Sequence, residues 1–312
     1  MRLITIREVL LVLAVASAGA GAAGCGGGET GGSAASGSRG ELAVVATTMQ
    51  LQDFARQVGG DRVRVTGILG PESEPHEYEP KPSDAEALAE ADVVLENGAN
   101  LDGWLEDLLR NAGADAERVR AVEGIELLPS EQEGFPGDPH VWHDPDNAKR
   151  MVATIAAGLA AADPGGRAAY ERNATRYSRD LDRMARTIRA TFAPVPRPER
   201  QLITTHDAFG YFVRAYELNQ VGTVLPAVTT AAEPSGEQVR ELVDDIRARD
   251  VETIFTEESV DAGLEQRIAD EAGAEVSTSL YADVLGAPGS GAETFIEAEL
   301  ANARAMRAAW TP

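Results

Sequence analysis

The sequence predicts an α/β protein with mostly parallel sheets, divided by one unusually long helix. Three observations carry that prediction. Short apolar runs alternate with helical segments from Leu42 to Val122, and the alternation restarts at Gln201. Between them Tyr170, Ala174, Tyr177, Leu181, Met184, Ile188 and Phe192 recur at steps of three and four. The chain beyond residue 40, roughly 270 residues, can hold two medium domains.

Leu42 to Ala46 is a short apolar run and reads as a buried strand. Gln50 to Val58 reads as a helix closed by Gly59-Gly60. Val63, Val65, Gly67 and Leu69 alternate like a second strand, which leads into a loop holding Pro71, Pro75, Pro80 and Pro82. Ser83 is placed to cap a helix from Asp84 to Glu90, with Glu86 three residues on. Val93 to Leu95 is a third strand, ending at Asn97-Gly98. Leu101 to Asn111 reads as a helix stopped by Gly113, and Val119 to Val122 as a fourth strand. Asp146 to Ala161 is another helix. The long helix runs from about Gly166 to Phe192, roughly 40 Å at 1.5 Å per residue, and ends at Pro194, Pro196 and Pro198. A helix of that length suits either the core of one domain or a brace between two lobes.

Gln201 to Thr205 is then a strand that delivers His206, and Phe209 to Tyr216 begins a helix. Ser235 caps a helix to Ala248, with Gln238 at the reciprocal position. Val251 to Phe255 is a strand, Gly263 to Glu271 a helix closed by Gly273, and Glu275 to Leu280 a strand. Thr294 to Trp310 is the last helix. The predicted division is a leader at 1–24, a linker at 25–40, one α/β unit at 41–165, the long helix at 166–193 and a second α/β unit at 194–312.

Arg2 and Arg7, the apolar run Val9 to Ala16 and the small residues up to Gly24 read as a secretory signal. That apolar run is too short for a good membrane span. Ala22-Ala23-Gly24-Cys25 resembles a lipobox, with Ala22 where a large aliphatic is usual; the alternative is a plain signal cleaved at an Ala-x-Ala-like site. Cys25 is the only cysteine, so no disulfide forms within one molecule. Lipidation of Cys25 would remove an exposed thiol from an oxidising compartment. The Gly/Ser/Ala-rich stretch to Gly40 reads as a flexible tether. A formal net charge of −23 means that the acidic body repels nucleic acid and anionic lipid headgroups. The predicted location is extracytoplasmic, and a monomer is expected.

Four histidines occur in 312 residues: His76, His140, His143 and His206. Scattered imidazoles with one carboxylate match a four-coordinate shell for a borderline transition metal. His76 sits in Pro-His-Glu-Tyr-Glu-Pro, where prolines stiffen the loop and Glu77 and Glu79 are alternative donors. His140 and His143 are flanked by Pro139 and Pro145. An extended or turned backbone makes their rings diverge, so one of the two joins a shared metal. Asp138 and Asp144 are placed to orient an imidazole through its second nitrogen. His206 ends a strand, on the sheet edge where ligands bind. The fourth donor must come from the last third, among Glu257, Glu258, Asp261 and Asp283.

These motifs, in this order, resemble the bacterial substrate-binding lipoproteins of zinc and manganese ABC importers, known as cluster A-I or cluster 9. The resemblance covers Val44 to Met306. It rests on Gly59-Gly60-Asp61, His76-Glu-Tyr-Glu-Pro80, Ala91-Asp92-Val-Val, Asn97-Gly98 with Trp104, Asp138-Pro-His-Val-Trp142, Thr205-His-Asp-Ala-Phe-Gly-Tyr211, Glu257-Glu-Ser-Val-Asp261 and Leu280-Tyr-Ala-Asp283. It implies two α/β lobes, each with its own sheet, joined by one long helix that permits only small opening. It also implies a cleft metal held by His76, His140, His206 and Asp283, with Glu257 as the alternative fourth ligand. The implied role is capture of a divalent metal, lipid anchoring outside the cytoplasmic membrane, and delivery to a permease and its ATPase, not enzymatic turnover.

Three features depart from the family pattern. Asp102 stands where glutamate is frequent, His143 where leucine is frequent, and no histidine-rich loop lies between Glu123 and Pro139. Manganese-type members place glutamate at the His206 position, so three imidazoles favour Zn²⁺ over Mn²⁺ as the carried ion. Neutral imidazoles are required, so affinity is expected to fall below about pH 6.5. The alternatives are a secreted zinc hydrolase with Glu257 as base, and a surface adhesin, a role assigned to some lipoproteins of this family.

Overall fold

The computed structural model describes residues 41–277 and 279–311. Cys25, the leader and the linker lie outside the described residues. Strands β1 (Leu42–Ala46), β2 (Val63–Gly67), β3 (Val93–Glu96) and β4 (Glu117–Arg120) form one all-parallel sheet in the order β2-β1-β3-β4. Helices α1 (Met49–Gly59), α2 (Pro82–Ala89) and α3 (Leu105–Ala112) connect them. α4 (Pro145–Ala162) covers the same sheet and leads into α5 (Arg167–Phe192), the long helix of 26 residues.

The second half repeats the grammar. β5 (Gln201–His206) pairs in parallel with β6 (Asn219–Leu225), and β7 (Thr253–Ile254) with β8 (Glu275–Val276). The Phe255 N–H donates to the Ile203 carbonyl at 2.9 Å and stitches β7 to β5. Helices α6 (Gly210–Tyr216), α7 (Gly236–Arg249) and α8 (Gly263–Ala272) fill the connections, and α9 (Phe295–Trp310) ends the chain. Among the described residues no helix is long and apolar enough to cross a membrane.

The α5 periodicity has the expected consequence. Tyr170, Tyr177, Leu181, Met184, Ile188 and Phe192 are all buried, each contributing about 1.5–3 kcal/mol of transfer free energy. Their core continues through α1 and α4 and, on the other side, through α6 and α9. The Asp53 carboxylate of α1 accepts the Tyr177 hydroxyl at 2.9 Å and the Phe295 N–H at 3.1 Å, tying α1, α5 and the start of α9 together. Both halves therefore share one apolar seam along the long helix.

Several boundaries differ from the sequence reading, each for a local reason. α2 starts at Pro82, whose missing N–H suits the first helical position. The Asp84 carboxylate, not Ser83, closes the entry by accepting the Lys81 N–H at 2.7 Å. Residues 101–104 form a turn, and α3 starts at Leu105 rather than Leu101. Asp102 is buried and accepts N–H groups from Asn97 (2.6 Å) and Gly98 (3.0 Å) and the Thr47 hydroxyl (2.8 Å). That carboxylate holds Gly98, Ala99 and Asn100 at positive φ. β4 begins two residues earlier than its apolar residues suggest, because its register pairs Glu117 with Val93. β6 was not foreseen: Gln220, Gly222 and Thr223 break its apolar pattern on a half-exposed edge. β7 and β8 each shrink to two residues, followed by an isolated parallel bridge between Glu257 and Leu280.

Candidate metal centre

Every strand-end loop in the centre leaves the C-terminal edge of a parallel sheet, where side chains from separate crossovers converge. His76 lies in the loop between β2 and α2, and His140 just before a 3-10 turn at Val141–His143 that precedes α4. His206 is the last residue of β5, and Asp283 follows the Glu257–Leu280 bridge. One donor atom from each of His76, His140, His206 and Asp283 lies within 4.8 Å of all the others.

Five donor pairs have closer distances. The His140 Nε2 is 3.3 Å from the Nε2 atoms of both His76 and His206. The Asp283 oxygens lie 3.4 Å from His76 Nε2 and 3.3 Å from those of His140 and His206. A tetrahedron with ligand bonds of about 2.0–2.1 Å has edges of roughly 3.3–3.4 Å. Both Asp283 oxygens are buried without a hydrogen-bond donor of their own. The four side chains are therefore a group that could hold a metal ion.

Two imidazoles are aimed by carboxylates. Asp138 accepts the His140 backbone N–H at 2.9 Å and touches Nδ1 at 2.7 Å. Glu257 accepts the His206 backbone N–H at 3.1 Å and touches Nδ1 at 2.6 Å. Each contact favours the tautomer that leaves Nε2 open as a ligand. Both oxygens of Glu257, the alternative fourth ligand in the sequence reading, face His206, and Glu257 is not among the four side chains whose donor atoms converge. Glu77, Glu79, Glu258 and Asp261 are exposed and stand apart from the four-residue cluster.

His76 is held differently. Glu74 accepts its backbone N–H at 3.0 Å, while the buried His76 Nδ1 has no partner. The sequence reading overlooked Glu74, although a visible signal existed: Glu74-Pro75-His76 repeats the acid-Pro-His spacing of Asp138-Pro139-His140. His143 is buried rather than at the surface. Its Nδ1 meets the Glu299 carboxylate of α9 at 2.8 Å, and its ring stacks on Phe209 with centroids 4.7 Å apart. Asp144 caps α4 by accepting the Asp146 N–H at 2.8 Å instead of orienting a histidine.

The backbone beneath Asp283 is clamped by residues that carry no ligand signature. The Asn302 side chain of α9 accepts the Tyr281 N–H and donates to its carbonyl, both at 2.8 Å. The Trp142 indole N–H donates to the Ala282 carbonyl at 3.3 Å. The Tyr211 hydroxyl of α6 donates to the Asp138 carbonyl at 2.9 Å and accepts the Leu128 N–H at 2.8 Å. Gly210 makes that approach possible, since a Cβ there would sit 3.2 Å from the Asp138 carboxylate and from Leu128. Trp142 and Tyr211 each join the second ligand turn to the other half of the chain.

Electrostatics reflect the crowding. Burial opposes charge on His140, but Asp283 and Asp138 outweigh it and lift its imidazole to about 9. Burial likewise opposes charge on His206, and Glu257 with Asp283 raises it well above the usual range. Burial lowers His76, with Asp283 only partly compensating. Burial would raise Asp283, yet His140 and His206 hold it far below the ordinary carboxylate range. Burial and then the Asp283 charge push Glu74 up to about 7. Without a metal, protons on His140 and His206 neutralise Asp283. The shifts of His140 and His206 are upward from isolated imidazoles, and that of His76 is downward.

Comparison with known proteins agrees with this geometry. The profile of the family described as "Zinc-uptake complex component A periplasmic" matches residues 44–309. The manganese-binding lipoprotein MntA of Halalkalibacterium halodurans is 32% identical over 298 residues, covering 95% of each chain. The manganese-binding lipoprotein MntA of Bacillus subtilis is 34% identical over 263 residues, covering 82% of this chain and 85% of that one. Among solved structures, the periplasmic zinc-binding protein TroA from Treponema pallidum superposes with a TM-score of 0.81 at 28% identity, covering 88% of this chain and all of that one.

Proposed function

This chain belongs to the family of periplasmic zinc-uptake components, and we infer that it captures a divalent transition metal outside the cytoplasm and hands it to an ABC permease and its ATPase. His76, His140, His206 and Asp283 are the proposed ligands. The observation that carries the reading is the tight set of Nε2 and Oδ distances, 3.3–3.4 Å, among four buried side chains drawn from four separate segments of the chain. Four protein donors around one centroid suit a carrier, whose cargo must be enclosed, better than a hydrolase, which keeps a position open for water.

Zn²⁺ is the favoured cargo. The donor spacing suits bonds of about 2.0–2.1 Å, and three imidazoles with one carboxylate place the site on the zinc side of the ligand-softness scale. The names of the two MntA relatives speak for Mn²⁺, which any such site binds more weakly than Zn²⁺ by the Irving–Williams order. Lipidation of Cys25 would keep the carrier beside its permease. The lobes are taken as the parts before and after α5, with His76 and His140 on the first and His206 and Asp283 on the second. The ion would then be gripped from both sides, and its exit would require the lobes or the His76 loop to part.

Metal analysis of protein purified without added metal, with thermal shifts in Zn²⁺ and Mn²⁺, tests this reading. A ligand at 100 times its Kd stabilises the fold by about 2.7 kcal/mol. The preferred metal gives the larger shift, and His76→Ala and Asp283→Ala shrink it. Equal shifts in wild type and both variants would sink the assignment.

A further inference from the structure

The outward face of α5 carries a charge pattern that metal capture does not use. Arg172, Arg176, Arg179, Arg183 and Arg186 follow one another at steps of four, three, four and three. At 100° per residue they fall within one narrow arc, directly opposite the buried line of Tyr170, Tyr177, Leu181 and Ile188. All five are exposed. The row spans about 21 Å. The acids of the helix, Glu171, Asp180 and Asp182, lie on its flanks, where Asp182 accepts Lys149 and Asp180 pairs with Arg183. Arg176 leans on Asn173 and the Gln57 carbonyl. Arg172, Arg179 and Arg186 form no ion pair among the described residues.

Like charges three and four residues apart repel along a helix. A pure arginine ridge, on a chain of net charge −23, is thus locally unfavourable in water and is relieved by an anionic surface. The chain also enters the body beside this helix. Glu41 and Asp163 line one cleft of about 690 Å³, and α5 starts four residues after Asp163. The cleft itself is acidic, with Asp61, Asp92 and Glu117 beside Glu41 and Asp163, so an anionic surface would meet the helix side-on and not at its end.

We propose that this arginine ridge docks on the anionic phospholipid headgroups of the membrane. In that pose α5 lies along the bilayer and the body rests on its spine. The proposal builds on the extracytoplasmic, anchored reading above. Its test is arranged so that the two fail separately.

The experiment uses the full mature chain with Cys25→Ser, so that acylation cannot mask weak binding. Flotation is measured with vesicles of 30% phosphatidylglycerol in phosphatidylcholine, and with pure phosphatidylcholine. Binding is expected only to the anionic vesicles, and it is lost at high salt. The triple change Arg172→Gln, Arg179→Gln, Arg186→Gln lowers the partition coefficient on the order of 100-fold. A control triple on exposed arginines of the second half, Arg240→Gln, Arg249→Gln, Arg267→Gln, leaves it within about threefold, and Zn²⁺ affinity is unchanged in both. Equal binding to neutral vesicles, an unaffected ridge variant, or no binding at all would overturn the proposal. So would a ridge-dependent dimer in sedimentation, because the occupant would then be a second copy. Mass analysis of Cys25 in the native chain tests anchoring independently.

Discussion

Replacing Glu257 by glutamine separates an orienting carboxylate from a ligand. In the structure both Glu257 oxygens serve His206, one on the backbone N–H and one on Nδ1. Glutamine keeps the shape but can offer its amide N–H to Nδ1, which favours the tautomer with a proton on Nε2, the atom facing the metal. Loss of such an outer partner weakens metal binding about 10–100-fold, or about 1.4–2.7 kcal/mol. The pH dependence is the sharper signature. The Glu257 charge is the larger of the two influences that raise His206. Without it the His206 proton is held less tightly and competes less with metal. The defect of Glu257→Gln should therefore narrow as pH falls from 8 to 6, whereas a missing ligand leaves a wide gap throughout. Competition with a chelating indicator dye at both pH values measures this. No loss at pH 8, or a loss above about 1,000-fold that does not narrow toward pH 6, would refute the assignment of Glu257 as an orienting group.

Asp283→Ala removes the only anionic donor and should cost more than Glu257→Gln, on the order of 100–1,000-fold in Kd, as one quarter of a structural zinc shell would imply; a smaller loss than that of Glu257→Gln contradicts the ligand set. Metal binding at pH 7.5 should release about two protons, from His140 and His206, as read by calorimetry in buffers of different ionisation enthalpy; zero release contradicts the raised imidazoles. Because His140 is raised from 6.5 to about 9 in the fold, its contribution to the stability of the metal-free protein is complete below pH 6.5 and disappears as pH climbs through 9; the metal-free Tm should fall across that window while metal affinity rises. His143→Leu strands the buried Glu299 carboxylate and should cost about 3 kcal/mol in urea unfolding, whereas His143→Leu with Glu299→Leu should recover most of it; an equally unstable double variant refutes the pairing.

The fold was legible where period and punctuation agreed. α5 announced itself through seven apolar residues at helical spacing, and α7 through Ser235 with Gln238 at its N-terminus. The sequence hid what depends on partners distant in the chain. β6 is recognisable only once it lies beside β5, since its own residues alternate poorly. Asp102 looks like a helix residue until its three loop donors are seen. In the centre, residue types and strand-end positions nominated the histidines, while the resemblance selected His140 over His143 and Asp283 over Glu257. The contact of Glu257 with His206 joins residues 51 positions apart, which spacing cannot express. Asn302, Trp142 and Tyr211 escaped notice because they hold backbone rather than donor atoms, and nothing in their own neighbourhoods marks that task.

The clamp of Asn302 on Tyr281 has a consequence for timing. The backbone beside Asp283 is clamped only once α9 has settled against α1 and α5, and contacts so distant in sequence close late. Until then three histidines on separate loops form no cage. A chain cut short before Asn302 should therefore lose the proposed site although every proposed ligand is still present, because the residue that fixes the backbone beside Asp283 lies 19 residues beyond it.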